Sequence, residues 1–209
     1  ESAPPGGAGV TELTVKLVKI TNGRVSLHLP GDPQQTLEKL NLEVKDFSVG
    51  AAFPFTLSAN IRGGGDVTLS GKVGPLNAAD ASATPFDAAL KVGALELAKA
   101  GFVRPATGFD GVLSLDGSAT STGANLVVKG TAEAQRLKLA KNGKPATKPV
   151  GLSVSVNYQM KTRSGALQRG DVSIGNAKAR IAGNYRAEGS DILVNWKLAA
   201  PNMPIDEFF

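Results

Sequence analysis

Leu152-Ser-Val-Ser-Val-Asn-Tyr-Gln-Met160 places an apolar side chain at every second position, with Ser, Asn or Gln between. Successive side chains of a strand point to opposite sides, so this stretch builds one greasy face and one wet face. An amphipathic helix would need a repeat near 3.6 instead. The alternation continues in both directions. Val25, Leu27 and Leu29 interleave with Arg24, Ser26 and His28, and Phe53, Phe55, Leu57, Ala59 and Ile61 with Thr56, Ser58 and Asn60. Ile192, Val194, Trp196 and Leu198 form a last row. Strands of all-parallel sheets tend to be apolar on both faces, so the pattern predicts half-buried antiparallel strands. The expected fold is mainly β: a long antiparallel meander curled into an elongated groove or an open barrel or sandwich, with one or two short helices.

Turn residues punctuate these rows. Asn22-Gly23 lies between Leu17-Val18 and Val25–Leu27 and predicts a type I′ hairpin, whose two central residues need positive φ. Arg62-Gly-Gly-Gly-Asp66, Ser121-Thr-Gly123, Arg163-Ser-Gly165, Gly175-Asn176 and Glu188-Gly-Ser-Asp191 give further turns. Their spacing suggests about fourteen strands. Leu42 and Val44 share a face that Phe47 and Val49 resume out of phase, which predicts a bulge near Lys45-Asp46. Leu95–Ala100 is rich in helix formers, with Gly101 placed to stop it, and Pro204–Phe209 reads as a helix start. Gly74–Pro85 and Gly143–Pro149 read as the main internal loops. Residues 1–10 read as a linker by composition, and both ends read as cut from a longer chain. Phe86–Phe102 and Leu193–Phe208 share a strand-then-short-helix pattern, so residues 11–103 and 104–209 read as two β units of one continuous β domain.

Composition excludes several chemistries. The chain of 209 residues has no Cys, which removes disulfide scaffolds, Cys-based zinc sites and cysteine nucleophiles. A single His28 removes any site needing two imidazoles. Hydrophobic residues make up 42%, enough to build a core, yet no stretch has the ~18 consecutive apolar residues of a membrane-spanning helix. The net charge of +5 is spread among interspersed acids, as on a solvated mixed surface, and no nucleic-acid partner is expected.

No motif points to catalysis. Gly63-Gly64-Gly65 has no following Gly-Lys-Ser/Thr and opens no helix, so it reads as a turn rather than a phosphate loop. Gly170–Gly175 has the wrong spacing for a nucleophile elbow. His28 falls on the polar side of its row. Asp46, Asp66, Asp80, Asp87, Asp110, Asp116, Asp171 and Asp191 sit mostly at turns, where Asp caps backbone N–H groups, and no pair stands out as acid and base. Asp116-Gly-Ser118 is too sparse for calcium. The reading is therefore non-enzymatic, with no catalytic residue, metal or cofactor.

What remains is the apolar face. A long meander must cover it, either by folding over itself or by holding an apolar guest. Leu27, Leu42, Val44, Phe55, Leu57, Leu69, Leu90, Val154, Val156, Ile181, Val194 and Trp196 are the residues expected to line such a groove.

Several stretches resemble the AsmA-like family of Gram-negative envelope proteins, part of the AsmA/TamB superfamily. Ile20-Thr-Asn-Gly-Arg-Val-Ser-Leu27 is similar to a family hairpin, followed by Leu40–Ser48 and Phe53–Leu57. Leu69-Ser-Gly-Lys-Val-Gly-Pro-Leu76 and Thr84-Pro-Phe-Asp-Ala88 are the most specific portion, and Leu113–Ser118, Gly130–Leu139 and Pro201–Asp206 are also similar. The resemblance covers most of residues 13–209. It implies an elongated β-gutter with an apolar interior, carrying phospholipid or another acyl lipid between inner and outer membrane and supporting outer-membrane biogenesis. It further implies a periplasmic segment attached to the inner membrane through an anchor absent from this sequence. A second expectation, of another class, is an assembly module that adds partner strands at a free edge and assists outer-membrane proteins. A sugar-binding or hydrolytic β domain would need two carboxylates converging in a cleft.

Overall fold

The computed structural model describes residues 14–28, 33–188, 191–202 and 204. The fold is mainly β and contains almost no helix. Eleven strands are present among the described residues: β1 Thr14–Leu27, β2 Gln35–Ser48, β3 Phe53–Ile61, β4 Asp66–Val73, β5 Phe86–Glu96 and β6 Asp110–Ser121. Then follow β7 Asn125–Lys138, β8 Val150–Gln159, β9 Ser164–Ile174, β10 Ala177–Glu188 and β11 Asp191–Asn202. Each pairs antiparallel with its sequence neighbours, in spatial order β1 to β11, and the sheet is not closed into a barrel. Two single-turn 3₁₀ segments, Ala81–Ala83 and Pro105–Thr107, lie in the long connections flanking β5.

The register keeps one face apolar from edge to edge. Ile20, Leu42, Leu57, Leu69, Leu90, Gly117, Gly130, Val154, Gly170, Ile181 and Leu198 stand opposite one another in turn across all eleven strands. Directly opposed residues of antiparallel strands share a face, so a single row spans the whole sheet. Intervening positions such as Glu43, Thr56, Ser70 and Lys129 fall on the other, polar face. A slip of one residue in any pair would invert this arrangement, which is why the alternation specifies register strongly.

Asn22-Gly23 does not turn the chain. It lies inside β1, where Asn22 takes a φ of 54° and β1 carries one extra residue against β2 between Ile20 and Gly23. Lys39, with a φ of 51°, is the matching extra residue of β2, so the two bulges cancel and Val25 again faces Leu37. Asn41 clamps the pair: its Oδ1 accepts the Asn22 N–H at 3.1 Å and its Nδ2 donates to the Lys39 carbonyl at 2.9 Å. Ala94 and Arg136, also at positive φ, are the bulged residues of β5 and β7. The step anticipated at Lys45-Asp46 is a positive φ of 48° at Asp46 without a register shift, since Leu17 faces Lys45 and Val15 faces Phe47. Phe47 nevertheless reaches Phe53, with ring centroids 4.9 Å apart. Strands are thus longer and fewer than the expected fourteen, because some turn-like signals are bulges within strands.

Leu95–Ala100 forms no helix. Leu95 and Glu96 end β5, and Leu97–Ala100 make one tight turn. Gly101 does terminate it: its N–H donates to Ala98 and that of Phe102 to Leu97, a Schellman closure with Gly101 at a φ of 79°. The helix competes here with pairing of Leu95 to Leu113 in the sheet, and the sheet wins. The other expected turns at Gly63–Gly65, Ser121–Gly123, Arg163 and Gly175-Asn176 connect consecutive strands. Leu29, the linker at 1–10 and the helix start at 204–209 (Pro204 excepted) lie outside the described residues.

Packing is concentrated at one margin. Ile61, Leu95, Leu97 and Ala100 form a buried cluster, with Val103, Phe109 and Leu113 against it, where the 97–109 connection folds onto the sheet. Elsewhere buried apolar residues are scattered, Leu40 and Phe53 being the large ones, and no large side chain among the described residues is fully buried. One sheet layer supplies no second layer to cover the apolar face.

Candidate functional site

The apolar face of β2 to β8 encloses an open-sided trough of about 750 Å³. Its depth follows from residue size. Leu42, Val44, Phe53, Phe55, Leu69 and Leu90 supply bulk on one side, and Val128, Leu152 and Val154 on the other. Between them lie Ala88, Gly117, Ala119, Gly130 and Ala132, which leave the floor low. Gly117 and Gly130 face each other across β6 and β7, and Ala88 faces Ala119 across β5 and β6. Gly71, in the same row as Phe55 and Ala88, is required for close strand approach, since a Cβ there would overlap the Asp87 carbonyl oxygen. The surface of the trough is almost wholly apolar.

Six of the twelve expected residues line this trough: Leu42, Val44, Phe55, Leu69, Leu90 and Val154. Leu57 sits between Leu42 and Leu69 in the same cross-strand row. Val156 faces Val128 and Leu167, and Ile181 faces Gly170, both half-buried on the same face beyond the trough. Val194 and Trp196 are exposed on edge strand β11, the Trp196 indole lying against Gly183. Leu27 is exposed near the opposite edge, facing Gln35 on β2. The register therefore puts a large part of the set on one face, while the trough gathers only its central members.

Alternation missed the small floor residues, because Gly and Ala carry no strong apolar signal. Only cross-strand register reveals them: Gly117, Ala119, Gly130 and Ala132 become a floor once β6 and β7 are aligned. Phe53, Val73 and Phe86 also line the trough; they face one another across β3, β4 and β5. That row continues through Ser121 to Leu126 and Tyr158, and the buried Ser121 hydroxyl accepts the Gly123 N–H at 3.0 Å. Farther along, Tyr158 and Tyr185 stack across Gly165 with centroids 6.2 Å apart. Burial, and then the neighbouring Tyr158, push the Tyr185 phenol above its ordinary value.

The polar face is held by exposed ion pairs. Asp171 receives Arg180 Nε at 2.6 Å and Arg169 Nε at 2.5 Å, and these bonds, Arg180 first, hold its carboxyl below the usual aspartate value. Glu43 is lowered likewise, by Lys45 and then Lys19. A depression of about 730 Å³ beside Asp171 is lined by Asp116, Glu133, Lys178 and the two arginines, so its charges are compensated. His28 is exposed just past the end of β1. Among the described residues no three His, Asp or Glu side chains converge as a metal site, and no helix is long and apolar enough to cross a membrane.

Comparisons with protein-family models, with curated proteins and with solved structures found no match to this chain.

Proposed function

We propose that this sheet is a non-enzymatic lipid-carrying segment whose trough shelters acyl chains while the headgroups stay in water. The observation that carries this reading is the trough itself: about 750 Å³ with an almost purely apolar lining, on a face continuous across eleven strands. It falls within the roughly 300–1,000 Å³ of small-molecule sites. It crosses six strand spacings, β2 to β8, or about 29 Å at ~4.8 Å each. That is close to the ~30 Å hydrocarbon core of a bilayer, so two acyl chains end to end match its run. About 0.8 kcal/mol per buried methylene gives on the order of 10 kcal/mol for a sixteen-carbon chain before entropy losses.

The lining also favours movement. With almost no polar surface in the trough, a sliding chain exchanges one greasy contact for another and meets no deep trap. A phosphate headgroup finds no partner inside and is kept at the rim by its desolvation cost. Together with the resemblance to AsmA-like proteins, this supports phospholipid carriage across the periplasm between inner and outer membrane.

Native mass spectrometry of protein purified without detergent tests the reading. The expected spectrum carries phospholipid adducts that Leu69→Asp, folded by circular dichroism, loses. A lipid-free spectrum from protein expressed in a Gram-negative host would overturn it. β1 and β11, each paired on one side only among the described residues, favour a second reading, strand addition to outer-membrane proteins, under which lipid-free protein captures β-strand peptides instead.

A further inference from the structure

The two edges of the sheet are built differently. β1 carries Lys16 and Lys19 and is disrupted by the bulge at Asn22, both devices that discourage pairing with another chain. β11 carries a single lysine, Lys197, and no bulge over Asp191–Leu198. It pairs with β10 without a shift over that stretch, and Ile192, Val194, Trp196 and Leu198 on its apolar face are 68%, 56%, 54% and 71% exposed. A regular, greasy edge is a template for one more strand.

We propose that β11 pairs with β11 of a second copy, antiparallel, about a twofold axis normal to the sheet. The sequence of the strand is self-complementary in one register. Centred on Val194, it sets Asp191 opposite Lys197 twice, Ile192 opposite Trp196 twice, and Val194 opposite itself. Asp191 and Lys197 lie on the polar face, and opposite charges in directly facing positions stabilise a pair. Shifting the centre by half a residue would set polar positions against apolar ones. Moving it to Asn195 would set Asp191 opposite Ala199 and Lys197 opposite Leu193, losing both charge pairs.

The axis direction also selects a second copy over head-to-tail stacking. A twofold normal to the sheet keeps both apolar faces on the same side, so the apolar face continues across the joint. β1 and β11 run the same way in an eleven-strand meander, so translating one copy onto the next would give a parallel joint against the lysine-bearing, bulged β1. The inference holds whatever the trough carries, because it rests on the edge alone.

The chain has no cysteine, so single-cysteine variants report one contact each. Under mild oxidation Val194→Cys is expected to form a disulfide-linked dimer readily, and Leu17→Cys on the β1 edge to remain monomeric. In sedimentation equilibrium, Asp191→Lys sets like charges opposite each other twice and should raise the dimer dissociation constant about tenfold or more. Asp191→Lys combined with Lys197→Asp should restore the dimer. A merely structural role for Asp191 would not be rescued this way. Monomeric unsubstituted protein, Val194→Cys cross-linking no faster than Leu17→Cys, or a double variant no better than the single one would each overturn the proposal.

Discussion

Filling the floor of the trough should evict lipid without disturbing the sheet. Ala119 is half-buried on β6 between Ala88 and Val128, with open trough above it, so Ala119→Phe places its ring in unoccupied space. The ring covers about one strand spacing, ~4.8 Å. A leaflet of ~15 Å holds a chain of sixteen to eighteen carbons, so that spacing corresponds to roughly five methylenes. At about 0.8 kcal/mol each the ceiling is ~4 kcal/mol, and since the trough is open on one side about half is a fair expectation. A loss of ~2 kcal/mol weakens binding about thirtyfold. The assay is displacement of a fluorescent fatty acid, with Thr120→Phe as control, because Thr120 is exposed on the polar face of the same strand. A change below threefold for folded Ala119→Phe, or an equal effect of Thr120→Phe, would refute the placement of the guest.

Other consequences are open to direct measurement. Delipidated protein should melt lower than loaded protein: ligand at a hundred times its Kd adds about 2.7 kcal/mol, or roughly 5–10 °C for a domain of this size, read by scanning calorimetry. Ala94→Gly should stabilise by about 0.5–1 kcal/mol in urea denaturation, because Ala94 has a φ of 44° and an L-residue there costs ~1–2 kcal/mol, offset in part by glycine's entropy. Asp171 has its carboxyl lowered by Arg180 and Arg169 from an ordinary value of 3.8, so its contribution is present above that value and is lost as pH falls through the lower native one. Asp171→Asn should therefore flatten the acid limb of a stability–pH profile below about pH 4, and an unchanged limb would count against the ion-pair account.

The fold class was legible because alternation is a local signal: Leu152–Met160 and Phe53–Ile61 name their own faces. The hairpin glycines at 63–65 and 175 were legible for the same reason. Asn22-Gly23 misled because its need for positive φ is met equally by a bulge and by a turn. What decides between them is Lys39, the compensating bulge, which no local pattern marks as the partner of Asn22. Leu95–Ala100 misled because helix propensity is weak beside the pairing of Leu95 with Leu113. For the trough, large side chains such as Leu42 and Phe55 were readable as one face. Its depth was not, since Gly117 and Gly130 matter only by standing opposite each other, a fact of register and not of sequence.

The absence of closure has a cause in the same residues. A sandwich would need a second apolar surface to set against the first, and all the apolar rows of this meander lie on one side of one sheet. Bulk could have filled the hollow from within, but Ala88, Gly117, Ala119, Gly130 and Ala132 keep the floor low where β5, β6 and β7 pass beneath it, between larger neighbours such as Leu90, Leu115 and Val128. Folding over at the margin is limited to the 97–109 connection, which covers the Ile61–Leu95 cluster and leaves the trough open. The missing layer is thus thin, greasy and featureless, about one chain deep and several strands long. An acyl chain has those properties. An unpaired extended peptide would bring polar backbone that this lining has nothing to satisfy, which is a physical reason for preferring an acyl chain to a peptide as the occupant.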